Sequence, residues 1–532
     1  MNNISQKKYH SFFKTVILLF ISLILALVFC ESTSPLYIVY GNDGIEYKLA
    51  GSAILDGCVM FKDIFHQKGV LFFYVESIGE FLCRLLNNDR LGTWIIQVIN
   101  IFICLLIAEN INKQFVDFTS YRKDHKLNGI KAYFPLFTFM FMWMSLIGYS
   151  NQVEEFAMLY QLIAFYIVIK YIIELSESKN EAQLKPYNGF ILGLCFAVSF
   201  FFKPTSCVII GTIVLFGLFL FIKFKKYKSL ILNAITSLLG VLAVSIPVVV
   251  ITKVNGSFVD MIEQCFLFNS AYLDLKNFSK HSIAMFLIVL AFLVLSVILI
   301  CINNKNLFSW LLLFINVTNA ISMTVQRFSF YFYLMPIAII AFLSVIAVYS
   351  TDIELIKNKN LKNLFVHQIP ALLLVFVTAF YMTFQFSYQM YEYAKVDKTK
   401  WSTTVNNVRK FIDGTSDIID DGNLKDMYII ENSDNLESRY MYYKLQRYPF
   451  SNAFCRRFLV NYESTSSVSK KLNDKFYEDY KKSPPKYIVD YSNPDSNDVS
   501  RSINKFILNE INSGKYKMVY QDNHYILYQL NN

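Results

Sequence analysis

GVLFFYVESIGEFLCRLL, residues 69–86, is an apolar stretch of nearly the length that a membrane helix needs, and its assignment decides the topology of the whole chain. If it crosses the bilayer, the basic loop INKQFVDFTSYRKDHKLNGIK (111–131) and the run Lys223, Lys225, Lys226 and Lys228 both fall outside. That placement violates the preference of Lys and Arg for the cytoplasmic side twice. The segment's own charges argue for another role: Glu76, Glu80 and Arg84 recur at i, i+4 and i+8 and share one helical face, opposite Phe72, Phe73, Ile78 and Leu82. We read it as an amphipathic helix lying on the outer surface.

With that segment removed, runs long enough to cross a bilayer fall near 15–30, 92–109, 132–149, 156–174, 188–202, 206–222, 230–252, 282–302, 307–323, 331–349 and 364–387. The composition agrees, with 532 residues at 55% hydrophobic, 17% charged and a mean hydropathy of +0.38. The expected fold is a mainly α-helical polytopic membrane protein of about eleven transmembrane helices. A retained first helix keeps the lysine-rich N-terminus in the cytoplasm, because Cys30-Glu31-Ser32 offers no ordinary signal cleavage site. The net charge of +10 resides in short loops between apolar runs, so it orients the protein and does not indicate a nucleic-acid partner. Nine cysteines are scattered singly with no CxxC, which suggests neither a disulfide framework nor a zinc site.

Past residue 388 no run is long enough to span. MYII, KYIVD and HYILYQL resemble short strands, while SPPK (483–486) and SNPDSND (492–498) mark loops. The chain therefore divides into a membrane domain at 1–387, with a first outer loop at 31–91, and an extracytoplasmic α/β domain at 388–532. No heptad repeat, P-loop or GxGxxG is present, which weakens ATP-driven transport and Rossmann-type nucleotide-sugar binding.

The first outer loop concentrates ionisable groups beside hydrocarbon. Asp43 and Glu46 follow a YGN turn, and Asp63, His66 and Lys68 follow a bend at Gly57. Acids at a membrane face are costly when partly buried and tend to mark substrate paths, whereas an ordinary solvated loop would also be polar. Glu154 and Glu155 open a later span, where a helix N-terminus favours acids on its own. Lys203 in FFKPT sits at the outer end of a span, and snorkelling alone accounts for a lysine there. Arg327 precedes FSFYFYLMP, suited to a lipid phosphate or to anchoring the helix end.

YGNDGIEYKLAGSAILDG, FKDIFHQKG, NQVEEFA, FFKPT, FNSAY (268–272) and QRFSFYFYLMP, in this order, resemble the GT-C class of integral membrane glycosyltransferases. That class includes the protein O-mannosyltransferases and the lipid A aminoarabinose transferase, and the resemblance is greatest to bacterial members. The pieces cover most of residues 30–340; Val70 departs from the proline common in the family after its KG or KP pair. The resemblance implies transfer of a sugar from a polyprenyl-phosphate donor, with inversion at the anomeric carbon, to a cell-envelope glycan, lipid or polymer.

Such a displacement passes through an oxocarbenium-like state and needs a carboxylate to take the acceptor proton, while the departing phosphate benefits from fixed cations. Asp43 is the candidate base, and Glu154 is placed to bind sugar hydroxyls or orient the acceptor. Lys68, Arg327 and Lys203 are candidate ligands of the donor phosphate. Glu46, Asp63, His66 and Glu155 are expected to bind substrate or shape the loop. One histidine with one acid is weak support for a divalent metal, so no obligatory ion is expected. A lipid-linked sugar flippase and a polysaccharide polymerase or ligase are the alternatives. A flippase should carry its polar groups near the bilayer midplane. Low Gly and Pro with many Asn, Lys, Ile and Tyr point to an AT-rich genome, most simply bacterial, so the expected location is a bacterial cell membrane.

Overall fold

The computed structural model describes residues 2–37, 40–121, 127, 129–146, 151–178, 181–269, 280–326, 331–351, 367–392, 402–419, 422–430, 436–451, 467–491 and 502–531. In chain order the helices are α1 Asn2–Phe29, α2 Asn42–Leu55, α3 Val70–Leu85, α4 Leu91–Tyr121, α5 Phe134–Leu146, α6 Val153–Glu177 and α7 Pro186–Phe202. They continue as α8 Val208–Lys223, α9 Tyr227–Val254, α10 Phe258–Ile262, α11 Lys280–Ile302, α12 Leu307–Val325, α13 Ile337–Ser350 and α14 Ile369–Glu392. The tail adds α15 Ser402–Thr415, α16 Leu436–Leu445, α17 Ser467–Lys482 and α18 Ser502–Asn512. The chain folds into two compact units: a membrane unit of residues 1–34, 94–248 and 276–390, and a loop–tail unit of residues 35–93, 249–275 and 391–532.

The chain is an integral membrane protein. Within the described residues each apolar run read from the sequence overlaps a helix, without fixing how many of them span. Among the described residues seven helices are long and apolar enough to cross a bilayer, and Pro186–Phe202, Ile337–Ser350 and Ile369–Phe384 are shorter apolar helices. Within the membrane unit α13 is apolar all round and buried along its whole length, as expected of a helix at the centre of a bundle. Large apolar side chains such as Leu238, Ile246, Leu287, Val294, Phe376 and Phe380 are instead exposed, the exterior of a protein bathed in hydrocarbon. Small residues permit the closest approach: a Cβ on Gly193 would strike the Ser237 carbonyl, and one on Gly240 would strike that of Phe190, so α7 and α9 meet backbone to backbone.

In the loop–tail unit α2 and α3 pack as a pair. A Cβ on Gly51 would come within 2.8 Å of the Glu76 backbone, so only glycine admits this crossing. Polar side chains hold the contact. Lys48 is ion-paired with Glu80, both fully buried. Arg84 grips Asp56 with two bonds of 2.7 and 2.9 Å. The acids of α3 thus point inward together with Phe72 and Phe73, whereas Ile78, Phe81 and Leu85 are exposed. The expected opposition of Glu76 and Glu80 to both phenylalanines does not hold: α2 supplies Lys48, which lets Glu80 share the inner face with the rings. The outer face is the apolar one.

The tail carries a four-stranded sheet in the order β1-β2-β4-β3, with β1 Met427–Ile429, β2 Tyr487–Tyr491, β3 Tyr516–Gln521 and β4 Tyr525–Leu530. β1 and β2 are parallel and the other pairs antiparallel. Three of these strands match the segments read from the sequence. β3 was not foreseen; it alternates poorly and places Lys517 on a sheet edge. Tyr428, Phe476, Tyr480, Ile488, Ile503 and Ile507 form the core that α17 and α18 close over the sheet. The SNPDSND loop lies outside the described residues.

Lys48 and Glu80 generate a stability prediction. Lys48→Met leaves a buried carboxylate uncompensated and should cost about 3–5 kcal/mol, whereas Lys48→Met with Glu80→Met should recover most of that loss. Thermal unfolding of the three proteins in one detergent checks this; equal losses for the single and double variants would contradict it.

Candidate functional site

Within the loop–tail unit, α2 begins directly after the YGN turn, and its first two turns put Asp43, Glu46 and Tyr47 on one face. Glu46 is buried and lies between two cationic or N–H groups: His66 Nε2 at 3.0 Å and the Arg439 guanidinium at 3.2 Å. The histidine tautomer follows from its other nitrogen. His66 Nδ1 accepts the Lys68 backbone N–H at 3.1 Å, so Nε2 carries the hydrogen and faces the Glu46 carboxylate without the alignment of a hydrogen bond.

The loop that presents His66 and Lys68 is held by a π-helical turn, Glu263–Phe268, which continues from α10. Gln264 accepts from the His66 backbone N–H at 3.0 Å and donates to the Phe61 carbonyl at 2.7 Å. The Cys265 thiol donates to the Lys68 carbonyl, and Asn269 donates to that of Gln67 at 2.8 Å. These bonds satisfy backbone groups that a buried loop would otherwise leave unpaired. Of the FNSAY stretch, Phe268 and Asn269 are described and 270–272 lie outside the described residues.

Asp43 is half-buried at the N-terminal turn of α2 and accepts a long bond from the Tyr47 hydroxyl, 3.4 Å. Desolvation pushes its carboxyl above the ordinary aspartate value; Lys68 and Arg439 pull it down and Glu46 repels it, without cancelling the burial. A carboxyl so displaced is a better proton acceptor than a solvated one. Asp63 is used differently: its carboxylate accepts the Val59 N–H at 2.7 Å and pairs with Lys425 at 2.7 Å, closing the preceding bend.

The membrane unit holds a separate polar cluster at one end of α6, α7 and α8. Glu154, in the first turn of α6, is ion-paired with Lys203, which caps the C-terminus of α7 where Pro204 stops the helix. The ammonium also lies 3.4 Å from the Gln326 side-chain oxygen and 3.9 Å from the centroid of the Tyr333 ring. Glu155 turns away from this cluster. It closes a capping box with Gln152 and accepts from Gln97. Arg327 lies outside the described residues.

Sequence reasoning missed Arg439 and Gln264. Both are far along the chain from the groups they touch, and nothing in their local sequence marks them. Among the described residues no group of three or more His, Cys, Asp or Glu gathers as a metal site. The donor set also fits an ion poorly, since Glu46 already faces the His66 N–H and a guanidinium.

No family model matches the sequence, and no curated protein is similar to it. Solved structures are similar. ArnT from Cupriavidus metallidurans, bound to undecaprenyl phosphate, superposes with a TM-score of 0.58 at 10% identity, over 96% of this chain and 97% of that one. The apo oligosaccharyltransferase from Archaeoglobus fulgidus superposes with a TM-score of 0.43 at 11% identity, covering 90% of this chain and 69% of that one. The likeness to ArnT over nearly the whole of both chains shows that this protein has a GT-C-like membrane fold.

Proposed function

We propose that the protein is an inverting glycosyltransferase that moves a sugar from a polyprenyl-phosphate donor to a cell-envelope glycan, lipid or polymer at the outer face of the membrane. The observation that carries this reading is the half-buried Asp43 carboxyl, raised above its ordinary value and flanked by Lys68 and the Glu46–His66–Arg439 cluster. The GT-C-like fold supports it, and the undecaprenyl phosphate of ArnT supports a polyprenyl carrier. The same reading keeps the N-terminus in the cytoplasm and residues 388–532 outside.

In this mechanism Asp43 takes the proton from the acceptor hydroxyl. The acceptor oxygen bonds to the anomeric carbon as the bond from that carbon to the phosphate oxygen breaks, and the polyprenyl phosphate leaves as an anion. Lys68 stabilises the charge developing on that phosphate. Glu46, flanked by His66 and paired with Arg439, fixes the α2 face that carries Asp43. In the membrane unit Lys203 is the cation for a lipid phosphate, with Glu154 setting its position; Arg327 is assigned the same phosphate-binding role from the sequence. Glu154 and Lys203 sit at helix ends and not in mid-span, which suits an interfacial reaction better than passage across the bilayer.

Asp43→Asn should lower sugar transfer in matched vesicles by about 10²–10⁴-fold without lowering the melting temperature. Transfer equal to wild type would remove Asp43 as the base. If wild-type vesicles translocate a lipid-linked sugar but transfer none, the flippase reading replaces this one.

The pH dependence follows from the direction of the Asp43 shift. The base works when deprotonated, so the rate falls as pH drops through its raised pKa, and the acid limb should lie above the ordinary aspartate value of 3.8. Lys68→Met removes the strongest charge holding that pKa down and should move the limb to still higher pH, besides lowering the plateau rate. A limb that stays in place in Lys68→Met would separate Lys68 from Asp43.

A further inference from the structure

A polar cavity of about 630 Å³ lies within the loop–tail unit, bordered by the 62–63 bend, residues 422–426, residues 449–451, the C-terminal half of α17 and the 483–486 turn. Its volume is that of a site for a small organic ligand, but its lining is unlike the apolar pockets that most such ligands occupy. Five lysines, Lys62, Lys425, Lys475, Lys482 and Lys486, face three aspartates, Asp63, Asp426 and Asp479. Lys425 is committed to Asp63 at 2.7 Å, and Asp426 lies 3.8 Å from Arg447. Lys62, Lys475 and Lys482 therefore give the cavity a positive balance. Asp260 and Glu263 on the adjoining α10 turn stand beside Lys62, Lys471 and Lys475, and Lys471 is itself paired with Glu263 at 2.6 Å, so they do not reverse it.

The remaining groups are those that bind hydroxyls. Asn423, Ser451, Asp479 and Ser483 line the wall, with Ser451 donating to Asp479 at 2.9 Å. Phe450 and the prolines Pro449 and Pro484 add flat apolar patches beside them. Carboxylate, amide and hydroxyl groups beside one aromatic face suit a sugar ring, and the lysines suit a negative charge carried on it. We propose that this cavity binds an acidic saccharide, and that the acceptor of the transfer reaction is an anionic glycan. The second half of this proposal rests on the glycosyl-transfer reading; the cavity itself does not.

The test uses the full-length protein in nanodiscs, with trigalacturonate as an acidic probe and maltotriose as a neutral one, by titration calorimetry. Trigalacturonate should bind at least tenfold more tightly than maltotriose and weaken as sodium chloride is raised. The exposed or half-exposed triple variant Lys62→Gln, Lys475→Gln, Lys482→Gln should weaken it about tenfold at an unchanged melting temperature. No binding by the wild type, equal binding by the triple variant, or displacement by equimolar inorganic phosphate would overturn the assignment. Asp43→Asn should bind trigalacturonate as the wild type does. Binding by both proteins, with no transfer by the wild type, would sustain the cavity and sink the transfer reading.

Discussion

Removal of Lys48 and Glu80 from water as a pair is the constraint on which the loop–tail unit depends. Either charge alone would face a desolvation cost of several kcal/mol, and together they are worth keeping only where further groups satisfy them. The Tyr443 hydroxyl donates to Glu80 at 3.2 Å, and the lysine ammonium lies 5.0 Å from the Tyr443 ring. Tyr448 adds a bond to Asp56 beside the Arg84 fork. α2 is thereby held against α3 on one side and against α16 on the other, and the orientation of its opposite face is no longer free. That face carries Asp43 and Glu46.

Two carboxylates three residues apart then meet different surroundings. Glu46 stands beside an imidazole and a guanidinium, whereas Asp43 receives a long bond from Tyr47 and is desolvated. The difference between the two acids arises from which elements face them, since the two lie a single turn apart on the same helix. The π-helical turn has a comparable part in the loop: Gln264 and Cys265 within it, and Asn269 just beyond it, reach the carbonyls of Phe61, Lys68 and Gln67.

Much of the fold was legible because hydrocarbon imposes length and composition on every helix that meets it; the apolar runs and the helices coincide for that reason. Asp43, Glu46, His66 and Lys68 could be singled out since four charged or titratable groups in a short stretch beside a bilayer are expensive. Arg439 and Gln264 were not legible. Their importance arises from topology, which returns α16 and the 258–269 segment to the first loop, and an arginine on a polar helix has no local signature. The inner face of α3 was partly misread for the same reason, because the lysine that allows Glu80 to be buried lies on another helix. β3 escaped notice because this edge strand is irregular in register and exposes residues on both faces, Met518 among them.

The guanidinium that holds Glu46 is made long after the helix that needs it. About 390 residues separate the two, and at ribosomal rates of roughly 5–20 residues per second that is on the order of 20–80 seconds. Through that interval the nascent first loop has its acids but lacks Arg439, Tyr443 and Tyr448. A chain ended before the tail would carry every residue of the first loop and still lack the partners of Glu46, Glu80 and Asp56 that the tail supplies.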